Sequence, residues 1–487
     1  MLLNQAEDVD GRDAAFAEAF GLGKRRRQTA DDEDKENVSP VIPGYENDDD
    51  HFPELQEDAD GGFQREPPGA SKGAQGMWHG PSAAVVMYEL AYAAQMNSLG
   101  GTSPLWCACV GLADQLLHRR ISAAEHTRRA EELAARCGSP GSSERVEPVR
   151  NEKSLFMLRH WSLFSALVHS EWLAPQLFTW CDKGKEGVLT LLAKMGISLR
   201  ESQKPYTHMG PVSKATLNDR LSDALEELHG EPSRFAFERP QAGSGSARVS
   251  STDAALAVTA LLAREGDSYR GWNQQEAFLD ACSALDETGS HRLRHGLELA
   301  KRAQEATLEQ LGSVLTAPSG SALIARRYFR VVDLEQISGP GDEQSTSHPL
   351  HLLRFAQLFQ DAVHNGALGA KKQRKPLLLF APPQSRPSES ADENDDGTDR
   401  SEQEDWVRAV AVNATAEPSD TDRHGAIFAS VVRDAALRLE GEDAAGDCLD
   451  ACALLIRKST KERLRRLVHS KMGSSPSLAA AVQADTT

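Results

Sequence analysis

The sequence predicts an α/β protein with a large all-helical segment, and three observations predict it. Residues 1–76 are acidic and poor in apolar side chains, the stretch from Ser82 to His229 repeats apolar positions at helical spacing between cap signals, and from Ser251 onward strand-like and helix-like stretches alternate. Alternation of that kind argues for a mixed domain with a largely covered sheet. The 487 residues suffice for two or three ordinary domains.

The acidic segment holds the runs Asp31-Asp32-Glu33-Asp34 and Asp48-Asp49-Asp50 and reads as disordered, because it cannot bury enough apolar surface to offset ordering entropy. Within it, Lys24, Arg25, Arg26 and Arg27 form a compact basic cluster, read either as a nuclear import signal or as a solvated charge run. Lys35-Glu36-Asn37 beside Ser39-Pro40 resembles a destruction tripeptide next to a proline-directed kinase site, against a chance match. The whole segment reads as a solubilising linker or as an electrostatic competitor for DNA.

Order is expected from Trp78. Ser82 caps a helix over 83–96 whose only charge is Glu89, and a helix apolar on all sides is expected to be buried on all sides. Ser103 and Pro104 open a second helix, carried by Leu105, Cys109, Leu112 and Leu116. The capping box Ser122-x-x-Glu125 opens a third, ending near Gly138, and residues 138–151 read as a surface loop. Further helices are expected over Ser154 to His169, Val188 to Met195 with a stop at Gly196, and Ser213 to His229. This middle third reads as all-helical, apart from a short strand at Phe235 and Phe237.

After the joint at Gly243 to Ser246, helices are expected at 253–264, 273–286 and 291–316. Strands follow near Ala322 to Leu334, Pro376 to Ala381, Trp406 to Thr415 and Cys452 to Lys458, with helices between them near Pro349 to His364 and Gly425 to Leu439. A last helix opens at the capping box Ser459-x-x-Glu462. Residues 385–405, acidic and Ser-rich, read as a disordered insertion.

Charge and composition exclude several classes. Lys and Arg total 54 against 72 Asp and Glu, a net charge of −18, so any nucleic-acid contact is expected to be local. No apolar run approaches the ~20 residues of a membrane span, and the first residues lack a signal peptide's basic and apolar regions, so a soluble, intracellular protein without membrane contact is expected. The cysteines at 107, 109, 137, 181, 282, 448 and 452 are sparse and odd in number, which points to reduced thiols. Cys107/Cys109 and Cys448/Cys452 lack a second Cys/His pair at finger spacing and read as small buried apolar residues.

Catalytic signatures are missing from the sequence. There is no G-x-x-x-x-G-K-[ST], no H-E-x-x-H and no G-x-S-x-G, and the histidines at 160, 169, 208, 295, 348, 351 and 364 are not grouped with carboxylates at ligand spacing. Asp114 punctuates an apolar stretch, but a two-metal centre needs several Asp and His ligands, so helix-terminal hydrogen bonding is the favoured reading for it. No catalytic residue, cofactor or metal site is therefore assigned.

Three basic clusters remain. Arg326, Arg327, Tyr328, Phe329 and Arg330 interleave cations with aromatics, as single-strand binders do to neutralise phosphates and stack bases. Lys371, Lys372, Arg374 and Lys375 form the second, and Arg457, Lys458, Lys461, Arg463, Arg465 and Arg466 the third. Against a DNA contact at Arg326, Arg327, Tyr328, Arg330, Lys371, Lys372, Arg374 and Lys375 stands a plainer reading: a strand with Arg outward and aromatics inward, and solvated loop or helix faces.

Five stretches in order resemble the eukaryotic cell division control protein 45 family: GPSAAVVMYELA (80–91), PLWCACVGLADQ (104–115), SLFMLRHWSLFSAL (154–167), LLAKMGISL (191–199) and HGLELAKRAQEA (295–306). The resemblance covers roughly 77–472 and is strongest up to about 310. It implies a fold similar to RecJ-type DHH phosphoesterases that has lost its metal ligands, leaving Asp114 in Gly111 to Asp114 as a relic. On that mapping 77–125 would be the closing helices of a DHH-like domain, 126–246 a helical interdomain, 251–472 a DHH-associated α/β domain and 473–487 a tail. The implied role is non-catalytic: to join the MCM motor and the GINS complex into the replicative helicase at origins, in the nucleus, as a monomer within a heteromeric assembly that also contacts single-stranded DNA. The alternatives are a RecJ-like metal-dependent phosphoesterase or exonuclease, and a generic acidic adaptor. The family also carries a sheet-bearing N-terminal half that this sequence lacks, so a truncated sequence or a half supplied by another chain is expected. The helices at 83–96 and 104–120 would then show an apolar surface.

Overall fold

A computed structural model describes residues 80–96, 103–137, 145–225, 233–241, 248–263, 274–286, 289–318, 322–337, 348–368, 375–381, 406–413, 427–439, 444–446 and 452–474. The expectations for residues 1–76, Trp78, Cys448, the 385–405 insertion and the tail beyond Ser474 lie outside these.

Serine caps set the second and third helices, whereas Ser82, expected to cap the first, makes no side-chain capping hydrogen bond. α1 (Ala83–Ala93) lies on α2 (Pro104–Leu117), and the two backbones come so close that a Cβ on Gly111 would stand 2.7 Å from Ala84 Cβ. Ser103 Oγ accepts from Trp106 N at 2.9 Å, and Ser122 Oγ accepts from Glu125 N at 3.1 Å to open α3 (Ala123–Ala134). α1 departs from the expected fully buried helix. Only Tyr88 and Ala91 are buried, while Val86, Met87, Leu90 and Tyr92 are exposed, because among the described residues α1 packs mainly against α2 on one side.

Between α3 and residue 250 the expectation of an all-helical segment fails. Residues from Glu147, read as loop, form β1 (Glu147–Lys153), which pairs antiparallel with β2 (Ser233–Pro240), and β2 pairs with β3 (Arg248–Ser250). The polar composition of β1 hides it: its residues are mostly exposed, and hydrogen bonding to β2 rather than apolar alternation makes it a strand. The helix expected over Ser154 to His169 is broken. Met157 sits at φ 48°, a 3₁₀ turn covers Leu158–His160, and Ser162 caps a shorter α4 (Leu163–Val168). Trp161 O accepting from Tyr206 N at 2.8 Å, and the bridge from Ser162 to Pro205, hold that break open.

Then come α5 (Ala174–Leu177) and α6 (Asp182–Lys194), the latter starting a turn and a half before the expected Val188 and stopping as expected at Gly196, whose φ of +64° suits glycine. α7 (Leu199–Ser202), α8 (Pro211–Ala215) and α9 (Leu217–Leu225) replace the single helix expected from Ser213. Leu163, Leu167, Val188, Leu192, Leu217 and Leu221 share one core in this group. α10 (Ser251–Leu262) is buried along nearly its whole length and packs against α2, α11 (Gln274–Leu285) and α12 (Ser290–Thr316), which form the first core with α1 to α3 and the small sheet.

The C-terminal part is a six-stranded sheet among the described residues, in the order β4-β5-β6-β7-β9-β8. The single strand expected over Ala322 to Leu334 is a hairpin, β4 (Leu323–Ala325) and β5 (Arg330–Asp333), turned at 326–329. α13 (Pro349–His364) then crosses to β6 (Leu377–Phe380), parallel to β5. β7 (Trp406–Val412) and β9 (Ala453–Arg457) are antiparallel, with the unanticipated β8 (Ala444–Gly446) at the edge. Leu377 and Leu379 face α13, whereas Leu378 and Phe380 face α14 (Ile427–Ala436) and α15 (Lys461–Ser474), so strand alternation sorts the two faces. Ser459 does not open α15 directly: it lies in a 3₁₀ turn, Lys458–Thr460, ahead of it.

Candidate nucleic-acid interface

The β4–β5 turn gathers the first basic cluster. Arg326 N donates to Phe329 O at 2.9 Å to close the turn, leaving Arg326 and Arg327 exposed and Tyr328 half-buried. Phe329 is driven inward against Phe428, with ring centroids 5.6 Å apart. Arg327 lies 5.3 Å over the Tyr328 ring, and Tyr328 also meets the tilted His469 ring of α15 at 5.4 Å. Lys375 Nζ donates to Arg326 O at 2.8 Å, and partial burial and the charge of Arg330 hold its ammonium below the usual lysine range.

Arg330 does not belong to this face. It is 3 % exposed inside β5, and burial holds its guanidinium below the usual range, so the expected DNA contact there is corrected to a core position. The reason is position in the sheet: Tyr328 lies in the turn, whereas Arg330 opens β5, which runs between β4 and β6 and is buried at all four positions. Lys371, Lys372 and Arg374 lie outside the described residues, as do Lys24, Arg25, Arg26 and Arg27.

The third cluster divides in two. Lys461 and Arg465 are buried: Lys461 Nζ reaches both oxygens of Asp333 at 2.9 and 2.7 Å and Glu335 at 3.0 Å, while Arg465 Nη2 reaches Asp333 at 3.1 Å. Both cations stand over the Phe380 ring. Arg463, Arg466 and His469 point outward from the same helix. Sequence reasoning missed His469 as a member of the patch. The available signal was Leu464, Val468 and Met472, whose spacing assigns the inward face and leaves 466 and 469 outside it. The exposed face thus holds Arg326 and Arg327, with Lys375 at its edge, around Tyr328 and the tilted His469 ring.

At Asp114 the geometry is that of a helix end. Its carboxylate meets His118 Nδ1 at 3.0 Å and Arg120 Nη1 at 3.3 Å. Burial alone would raise its pKa, but the hydrogen bond and charge of His118, with Arg120 and Arg354, hold the carboxyl below the usual range. His118, one turn after Asp114, was not singled out in the sequence. Gln357 Nε2 donates to His118 O at 2.9 Å, and Arg119 pairs with Asp361, so this helix end is clamped onto α13. Among the described residues no three His, Cys, Asp or Glu side chains converge to hold a metal ion. A shallow hollow of about 430 Å³ between α6 and α7 has walls of Leu189, Leu192, Ile197 and Leu199, with Ser198 as its hydroxyl. No described helix is long and apolar enough to cross a membrane.

Comparison with known proteins places these elements in a family. Residues 70–391 match the family described as CDC45. The chain is similar to the human cell division control protein 45 homolog, 26% identical over 330 residues that make up 63% of this chain and 54% of the relative. It is also similar to the Schizosaccharomyces pombe homolog, 26% identical over 349 residues, 63% of this chain and 53% of the relative. It therefore spans about half the length of these curated relatives. In fold it resembles the crystal structure of CDC45 from Entamoeba histolytica, with a TM-score of 0.58 at 16% identity, covering 84% of this chain and 75% of that one. Because the family match spans well over half of its residues, the chain belongs to the CDC45 family.

Proposed function

We propose that this protein acts in DNA replication as a non-catalytic scaffold, joining the MCM motor and the GINS complex into the replicative helicase at origins, in the nucleus, as one copy within a heteromeric assembly. The observation that carries this reading is the family match over residues 70–391. The clamping of Asp114 by His118 and Arg120 supports a structural use of the motif, in keeping with descent from a DHH-like phosphoesterase that no longer binds metal. Affinity capture of the tagged chain from S-phase extract, read by mass spectrometry, tests it. Recovery of MCM and GINS subunits supports the scaffold, and recovery of neither sinks it. Manganese-dependent release of nucleotides from single-stranded DNA would replace it with the phosphoesterase reading.

Within that role the face around Tyr328 is assigned a local contact with single-stranded DNA. Cations there neutralise phosphates, and the half-buried Tyr328 ring, with His469 tilted against it, offers a base an aromatic surface. Tyr328→Ala is expected to weaken binding by about 1 to 3 kcal/mol. The double variant R326A/R327A is expected to reduce the slope of log K against log salt by roughly 1.4, two phosphates' worth for a single strand. Titrations with labelled oligonucleotide at two salt concentrations measure both. Unchanged affinity in the two variants would remove this face from the function.

A further inference from the structure

Where β1, β2 and β3 meet the start of α10, a buried polar cluster leaves one carboxyl oxygen without a donor. Glu152 receives Arg159 Nη1 at 2.8 Å, Arg234 Nε at 3.3 Å and the Thr252 hydroxyl at 3.0 Å. Glu238 receives Arg159 and Arg248 Nε, the latter at 3.1 Å. The arginines of the cluster are thus engaged by the glutamates. Asp253, in the first turn of α10, gets none of them: its backbone N–H donates to Ser250 Oγ at 3.1 Å, but its Oδ2 is buried with no hydrogen-bond partner. That oxygen faces His160 Nε2 at 3.6 Å, which is likewise buried and unpartnered.

Two orphaned atoms facing each other in the core have a chemical resolution. An ionised carboxylate there would lie beside the charge of Glu152 with no donor to its Oδ2, which is costly in a low-dielectric interior. A carboxylic acid, by contrast, is a donor, and a neutral imidazole nitrogen is an acceptor. We propose that Asp253 and His160 are buried as a neutral acid–imidazole pair sharing one proton, a latch that fastens the turn Leu158–His160 to α10 and is undone when that proton leaves.

The surroundings agree. Burial, then the charge of Glu152, pushes the Asp253 carboxyl up to about 7, against the opposing pull of Arg159 and Arg234 and with a smaller push from Glu238. Burial, then Arg159 and Lys301, pushes His160 down to about 4, opposed by Glu298. These are the charged groups that face the pair, from β1, the turn itself, β2 and α12, while α2 and α11 meet α10 through apolar residues of the first core. Lys301 Nζ also donates to His160 O at 3.3 Å, so the turn has two fastenings, one of them independent of the proton.

Hydrogen exchange at the amides of residues 158–162, corrected for intrinsic rate, tests the latch in the full chain and in Asp253→Asn. Opening exposes an aspartate that titrates near 3.8, so the protection of wild type relative to Asp253→Asn is expected to fall roughly tenfold per pH unit from pH 5 to 7 and to level above 7. A ratio that stays flat across pH 5 to 8.5 overturns the proposal. If the variant does not fold, ¹⁵N-histidine spectra of wild type decide: His160 Nε2 should lack its own proton at pH 6 and shift with a midpoint near neutrality. A His160 Nε2 that carries its own proton throughout also overturns it.

Discussion

Gly111 shows how a single residue fixes a contact. A methyl there would stand 2.7 Å from both Ala84 Cβ and Ser82 Oγ, so α1 can lie on α2 only while residue 111 has no side chain. Gly111→Ala is expected to cost about 1 to 3 kcal/mol, read as a lower denaturant midpoint with an unchanged slope. Arg119 is a second such point. It takes a left-handed φ of 52° two residues after the end of α2, and its guanidinium pairs with Asp361 of α13. Asp361→Ala removes charge-assisted hydrogen bonds and should cost about 1 to 3 kcal/mol by the same measurement. Neither effect is written in local propensity, because each depends on a neighbour distant in sequence.

At the scale of elements, α1 and α15 show opposite outcomes for apolar and basic patterns. α1 is apolar nearly all round, yet Met87 is 63% and Leu90 59% exposed, giving a stripe at positions 83, 86, 87 and 90 that is exposed among the described residues. Such a stripe promotes self-association without contributing to the core. The double variant M87K/L90K should lower concentration-dependent association in sedimentation velocity and leave the thermal midpoint nearly unchanged, since exposed positions typically move stability by less than about 0.5 kcal/mol. α15 is basic along its length, yet Lys461 and Arg465 are core residues held by Asp333. Lys461→Ala leaves Asp333 short of a cation in a buried site and is expected to destabilise by about 3 to 5 kcal/mol, whereas Arg466→Ala should change stability little.

For the whole molecule, buried histidines set the acid limit. Burial, then Arg234, lowers His126 to about 4, and burial, then His351, Arg408 and His118, lowers His348 to about 3. Histidines of the unfolded chain titrate near 6.5, so the stability these two contribute is complete above that pH and is lost as pH falls through it toward 4. Each should remove up to about 1.4 kcal/mol per pH unit in that window. Asp253 and His160 shift in opposite directions and nearly offset one another between about 4 and 6.5. Chemical denaturation from pH 4.5 to 8 is expected to show stability rising to about 6.5 and changing little beyond, and His126→Gln should remove one histidine's share of the acid slope.

Local elements and family membership were legible in the residue order. The Ser103 and Ser122 caps, the stop at Gly196, the helix Pro349–His364 and the strands at 377–380, 406–412 and 453–457 all follow from hydrogen-bonding residues and apolar periods acting within a few positions. The Arg326–Tyr328 cluster was legible for the same reason, since its residues are adjacent. The tertiary structure alone decided that polar β1 is a strand, that Ser154 to His169 breaks at Met157, that Arg330, Lys461 and Arg465 turn inward, and that His469 joins Tyr328. Each of those depends on a partner far along the chain: β2 for β1, Pro205 for Ser162, Asp333 for the two buried cations. Hydrogen bonding and burial across such separations override local preference, because an unpaired buried polar group costs more than a helix propensity returns.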